Sequence, residues 1–255
     1  MTEPSRTTPE ASEAPDRLHG VFSSNKTLKI GTGSTTRRVQ QVSYYYVEEH
    51  DDGSLQIQPL GENYLPIGEA EPIEREDLLR DFLPEPGLYQ KEVLPRLREV
   101  QKAVARGDKF RSRGETFTAE FEYAKALKID EQNVRANFGI GLCYISRGDA
   151  DKAREVFTRV VGIDAAFGNE HKHLFNEFGI SLRKGKLYQE AADYYQRALE
   201  LSPDDENLYY NQARALAEHG DLKNAALAVA KCVALKPDHE EGLKLMAWLK
   251  KKNAS

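Results

Sequence analysis

The chain has 255 residues, with 36 basic side chains against 41 acidic ones, a net charge of -5 and a mean hydropathy of -0.64. That mild acidity gives no electrostatic case for nucleic acid or for an anionic membrane surface. No apolar run approaches the ~18 residues needed to span a bilayer.

Residues 1–20, "MTEPSRTTPEASEAPDRLHG", hold Pro, Ser, Thr and Glu with almost no apolar content. A disordered tail is expected, and the missing apolar stretch argues against a secretory signal. A small β-hairpin and short-helix segment is expected over 21–87. "TLKI" (27–30) and "RRVQQVSYYYVEE" (37–49) are rich in β-branched and aromatic residues, and "SLQIQPL" (54–60) alternates. "HDDG" between the last two is a turn signal with Gly53 at a positive-φ position, so a hairpin over about 37–60 is expected. So small a unit is expected to pack on the downstream helices or to complete a sheet with a partner. "EREDLLRDFL" (74–83) reads as a short helix ended by "PEPG" (84–87). A lead-in helix over 88–99 then breaks or kinks at Pro95.

Two stretches resemble sites without carrying them. "GTGSTTRR" (31–38) has neither the strand–loop–helix context nor the lysine of a phosphate loop. "YYY" (44–46) lacks the neighbouring motif of an RNA-binding sheet, and alternate tyrosines must face opposite sides.

From residue 100 the sequence repeats every 34 residues. Pro203 and Pro237 each close an apolar helical run. Between them Gly179 matches Ala213, Leu182 matches Leu216, Ala191 matches Ala225 and Tyr195 matches Val229. Gly141, Tyr144, Ala153 and Phe157 fill the same slots after four extra residues, and Gly107, Phe110, Ala119 and Tyr123 fill them one step earlier. Each unit reads as two amphipathic helices joined by a turn such as "RGDA" (147–150) or "HGDL" (219–222). Small residues let the two helix backbones approach, and large ones fill the space beside them. This pattern resembles the tetratricopeptide repeat. Repeats are placed at 100–133, 134–167, 172–205 and 206–239, with a capping helix over 240–255 in which Leu243, Met246 and Ala247 take the packing slots and lysines the outer face. The fold class is therefore mainly α, a right-handed superhelix of about four helix-turn-helix repeats behind the small β segment, because one repeat cannot bury its own apolar face.

The resemblance places a partner groove on the concave face, lined by positions 2, 5, 9 and 12 of each first helix. Those positions give Arg135, Phe138, Leu142, Ile145, Asn176, Ile180, Arg183, Tyr210 and Arg214 as the groove, an apolar strip edged by arginines. Such a strip suits a protein or peptide segment with apolar anchors and acidic residues. The Lys/Asn pattern by which chaperone-binding relatives clamp a C-terminal carboxylate is absent.

"NEHK" (169–172) puts His171 and His173 near Glu170 and Glu177, but histidines two apart on a helix diverge, and zinc needs about four ligands. No metal and no cofactor are expected; Glu177 stands one turn from His173 and could pair with it. Cys143 and Cys232 read as buried thiols of a reducing, cytoplasmic setting. No catalytic spacing occurs: no CxxC, HExxH or GxSxG. The reading is a non-enzymatic scaffold or adaptor, with a dedicated secretion or assembly chaperone as the alternative. Self-association is left open.

Overall fold

The computed structural model describes residues 17–30, 37–168 and 171–253. It divides into two compact units, one ending at Leu97 and one beginning at Arg98.

The first unit is more than a hairpin. β1 (His19–Ile30), β2 (Arg37–Glu49), β3 (Leu55–Pro59), β4 (Glu71–Ile73) and β5 (Leu83–Pro84) form one antiparallel sheet in the order β4-β3-β2-β1-β5. The expected hairpin is β2–β3, with Val47 opposite Ile57 and Glu49 opposite Leu55. Gly53 turns it at φ 82°. The sheet is completed within the chain, by β1, which begins two residues inside the expected tail and contains "TLKI", and by two strands too short to show a period.

Phe22 and Tyr45 are register partners, so both share the sheet face of Val47 and Ile57. Helix α1 (Arg75–Asp81) closes that face with Leu78, fully buried, and Phe82 meets the Tyr45 ring edge-on at 5.3 Å. His19 lies on the opposite face, where its ring meets Tyr89 at 5.9 Å. The middle tyrosine of "YYY" is thus partly buried against the core, while Tyr44 remains 38% exposed.

Of the expected break or kink at Pro95, the break does not occur. α2 (Pro86–Leu88) runs through a π turn, Tyr89–Val93, into α3 (Leu94–Ser112). The wider turn, in which the Leu94 N–H reaches the Tyr89 carbonyl, accommodates a proline that has no N–H to donate and a ring that crowds the preceding turn.

The second unit is a stack of helix pairs, as the repeat reading expects. α4 (Thr116–Ile129) follows α3, and then come α5 (Val134–Arg147) with α6 (Ala150–Val161), α7 (Lys172–Lys184) with α8 (Tyr188–Leu201), and α9 (Glu206–His219) with α10 (Leu222–Leu235). α11 (Glu240–Asn253) ends the described chain. α7 begins at 172, α9 at 206 and α11 at 240, a step of 34.

The turns explain why the pairs form. Gly114, Gly148 and Gly220 take positive φ at equivalent places, and in the third pair Lys186 does so instead, at φ 62°, while the adjacent Gly185 stays at −75°. Side chains cap the helix starts: Asn133 accepts from the Ala136 N–H at 3.0 Å, and Asp221 from that of Asn224 at 3.1 Å.

The packing glycines also make room for aromatic rings. A Cβ at Gly141 would stand 2.5 Å from the Phe178 ring, and one at Gly179 2.6 Å from the Tyr195 hydroxyl. Tyr123 fills the space left by both Gly107 and Gly139.

Candidate functional site

The four-residue insertion shapes the middle of the stack. A 3-10 turn, Asp164–Phe167, precedes it and sends Phe167 against Phe175 (5.6 Å) and Tyr194 (5.5 Å). Phe175 stacks on Tyr194 at 4.7 Å, and Phe138 meets Phe178 at 5.4 Å. Phe138 is therefore fully buried and offers nothing to a groove, contrary to its expected place. Phe178 and Tyr194, from the next repeat, enclose its ring.

A cavity of about 400 Å³ opens among α3, α5 and α7. Of the nine expected groove residues, Leu142 and Ile145 line it, together with Arg111, Thr116, Glu177 and Lys184. Ser146 and Ser181 add hydroxyls. Asn176 lies in a separate recess of about 150 Å³ with Phe175, Ser202 and Asn207. Ile180 and Tyr210 are half-buried, and Tyr210 lies 5.1 Å from the His239 ring.

The arginines are mostly occupied. Arg111 donates to Glu177 at 2.6 Å, Arg135 pairs with Asp108 at 2.7 Å, and Arg183 meets Glu218 at 2.5 Å with only 14% of its side chain exposed. Asp108 also accepts from the Tyr123 hydroxyl at 2.6 Å. Burial opposes the charge of Arg111, yet the Glu177 contact holds its pKa above the usual arginine value. Burial, and then the Asp108 carboxylate, push the Tyr123 phenol upward. Arg214 differs: it makes no ion pair among the described residues, and its guanidinium lies 5.7 Å from the centre of the Tyr210 ring. Glu177, expected beside His173, belongs to Arg111 instead, and no sequence signal links positions 66 apart.

Glu170 lies outside the described residues, as does most of "GTGSTTRR". His171 occupies the position just before α7, with no side-chain capping bond to it, and His173 is exposed on the helix. Among the described residues no three His, Cys, Asp or Glu side chains converge as metal ligands, and no helix is long and apolar enough to cross a membrane. Burial pushes the Cys143 thiol up to about 11. Such a thiol is a poor nucleophile near neutral pH.

At the end of the stack, Leu249 rather than Leu243 anchors α11, packing on Ala213, Ala225 and Val229. Met246 packs beside it as expected, but Leu243 is 43% and Trp248 44% exposed, so the outer surface of α11 is not purely lysine.

The tetratricopeptide repeat family model matches residues 104–167 and 176–240. Tetratricopeptide repeat protein 14 of Mus musculus is 34% identical over 103 residues, 39% of this chain and 13% of that protein. U-box domain-containing protein 70 of Oryza sativa is 30% identical over 95 residues, 37% of this chain and 11% of that one. Anaphase-promoting complex subunit 3 of Schizosaccharomyces pombe is 25% identical over 116 residues, 46% and 17%. The matched region is thus less than a fifth of the length of any of these three relatives. Among solved structures, MamA protein is similar at a TM-score of 0.48 with 24% identity, over 61% of this chain and 83% of that one.

Proposed function

Because the chain belongs to the tetratricopeptide repeat family, we propose that it is a non-enzymatic scaffold or adaptor holding a protein segment along the inner face of its repeats. The carrying observation is the cavity among α3, α5 and α7, with Leu142 and Ile145 as an apolar surface and Arg111, Glu177 and Lys184 around it. A largely polar recess with an apolar patch at Ile145 suits one anchoring side chain of an extended or helical segment. Three of the arginines on this face already meet carboxylates of their own chain. Apolar anchoring at Ile145, not charge at those arginines, is therefore the main source of affinity in this half of the groove.

The test is selection of peptides from a random display library on the full chain, followed by titration calorimetry. Ile145→Arg should weaken the selected peptides tenfold or more with an unchanged melting curve. Arg154→Gln on α6, where Arg154 pairs with Glu190 at 2.5 Å, should change little. Equal binding by the wild type and Ile145→Arg, with loss in Arg154→Gln, would sink the reading.

A further inference from the structure

The groove does not end with the fourth repeat. Trp248 stands 34 residues after Arg214, as Arg214 stands after Ile180, so α11 presents it at the register position those residues hold on α9 and α7. α9 and α11 are in contact, and Trp248 is the chain's single tryptophan, 44% exposed. Lys252 lies 6.0 Å from its ring.

Three further observations converge here. Arg214 is the one expected groove arginine without a carboxylate among the described residues, and it stands over Tyr210. Arg135, Arg183 and Arg111 are all neutralised within the chain. α11 carries four lysines against two glutamates in a chain of net charge -5. A guanidinium that makes no ion pair among the described residues, over the Tyr210 ring and at the register position that Trp248 holds on α11, offers planar charge-assisted recognition of a carboxylate. Tyr, Trp and Arg are also the residue types that dominate binding energy at interfaces, and here Trp248 is exposed while Tyr210 and Arg214 are half-buried.

We infer that the Tyr210–Arg214–Trp248 surface is a second subsite, which takes an acidic side chain of the bound protein segment together with a neighbouring apolar or aromatic residue. This rests on the proposed groove and adds to it the polarity of the partner: an apolar anchor toward the Leu142–Ile145 end and acid toward the C-terminal end.

The single tryptophan makes the test direct. Peptides selected on the full wild-type chain should be enriched in Asp and Glu, and they should shift or quench Trp248 emission saturably. Arg214→Glu should weaken them about tenfold or more, and Arg214→Lys, which keeps the charge but loses the fork, by less. A fresh selection on the Arg214→Glu protein should turn toward Lys and Arg. The melting temperature should hold, since no ion pair is lost. Selected peptides without acidic enrichment, or binding that leaves Trp248 emission and the Arg214→Glu affinity unchanged, overturn the inference. If those same peptides are still lost on Ile145→Arg, the groove survives without it. Failure of any peptide to enrich overturns both. A single-stranded oligothymidine that quenches Trp248 at lower concentration than any selected peptide would assign this surface to nucleic acid and overturn it as well.

Discussion

The Arg111 guanidinium meets the Glu177 carboxylate at 2.6 Å, joining the first helix of one repeat to the first helix of the repeat after next. Both side chains line the same cavity as Leu142, which lies on the helix between them. The contact spans two steps of the stack, so it constrains how far α3 and α7 can spread.

Glu177→Ala should therefore cost about 1.5–3 kcal/mol, the range for a hydrogen bond to a charged group, because it leaves Arg111 partly buried without its acceptor. Glu177→Gln should cost less. Urea unfolding followed by circular dichroism measures both, and spin labels on α3 and α7 should show a broadened distance distribution in Glu177→Ala. Unchanged stability and distance would mean that the pair is only a surface contact.

Lys186 sits at φ 62°, where Gly114, Gly148 and Gly220 sit in the other pairs. A left-handed conformation costs an ordinary residue roughly 1–2 kcal/mol, while a glycine loses more backbone freedom on folding. Lys186→Gly should thus stabilise by about 0.5 kcal/mol, and Lys186→Ala should be neutral because its Cβ stays. A lower urea midpoint for Lys186→Gly contradicts this account of the turn.

Tyr123 occupies the volume that a side chain at Gly139 would need. Gly139→Ala forces the ring against its neighbours, at about 1–3 kcal/mol for overpacking. The double variant Gly139→Ala with Tyr123→Leu should recover part of the loss, and a loss that simply adds would exclude steric conflict as the cause.

Alkaline pH should destabilise the repeat unit. Burial holds the Cys143 thiol up to about 11, and burial raises the phenols of Tyr123, Tyr194 and Tyr195. In the unfolded chain these groups lose their protons from about pH 9 to 10. Above that point the unfolded state binds fewer protons than the folded one, so stability is flat below about pH 9 and falls as pH rises through about 11. Thermal melts from about pH 7 to 11 check the sign. Within the same series, Cys143 should resist thiol reagents at about pH 8 until the protein unfolds.

Much of the repeat architecture was readable in the chain because the tetratricopeptide slots are local chemistry. Gly141, Gly179, Ala153 and Ala191 recur where only small residues fit, and Pro203 and Pro237 recur where a helix must stop. That spacing depends on helical geometry within one unit, and its period survives any choice of surface residues. It also exposed the insertion near residue 168 as a delay in an otherwise constant step.

The contents of the groove were settled at longer range. Phe138 occupies a groove position by spacing, yet Phe178 and Tyr194 enclose it. Arg135 and Arg183 read as free cations until the fold brings Asp108 and Glu218 to them. β5 is two residues long and visible only as a pairing partner of Phe22 and Ser23. Periodicity reports which face of a helix a residue occupies. Whether that face meets solvent, an aromatic ring or an opposite charge depends on side chains from other elements, and those meet only when the helices stack.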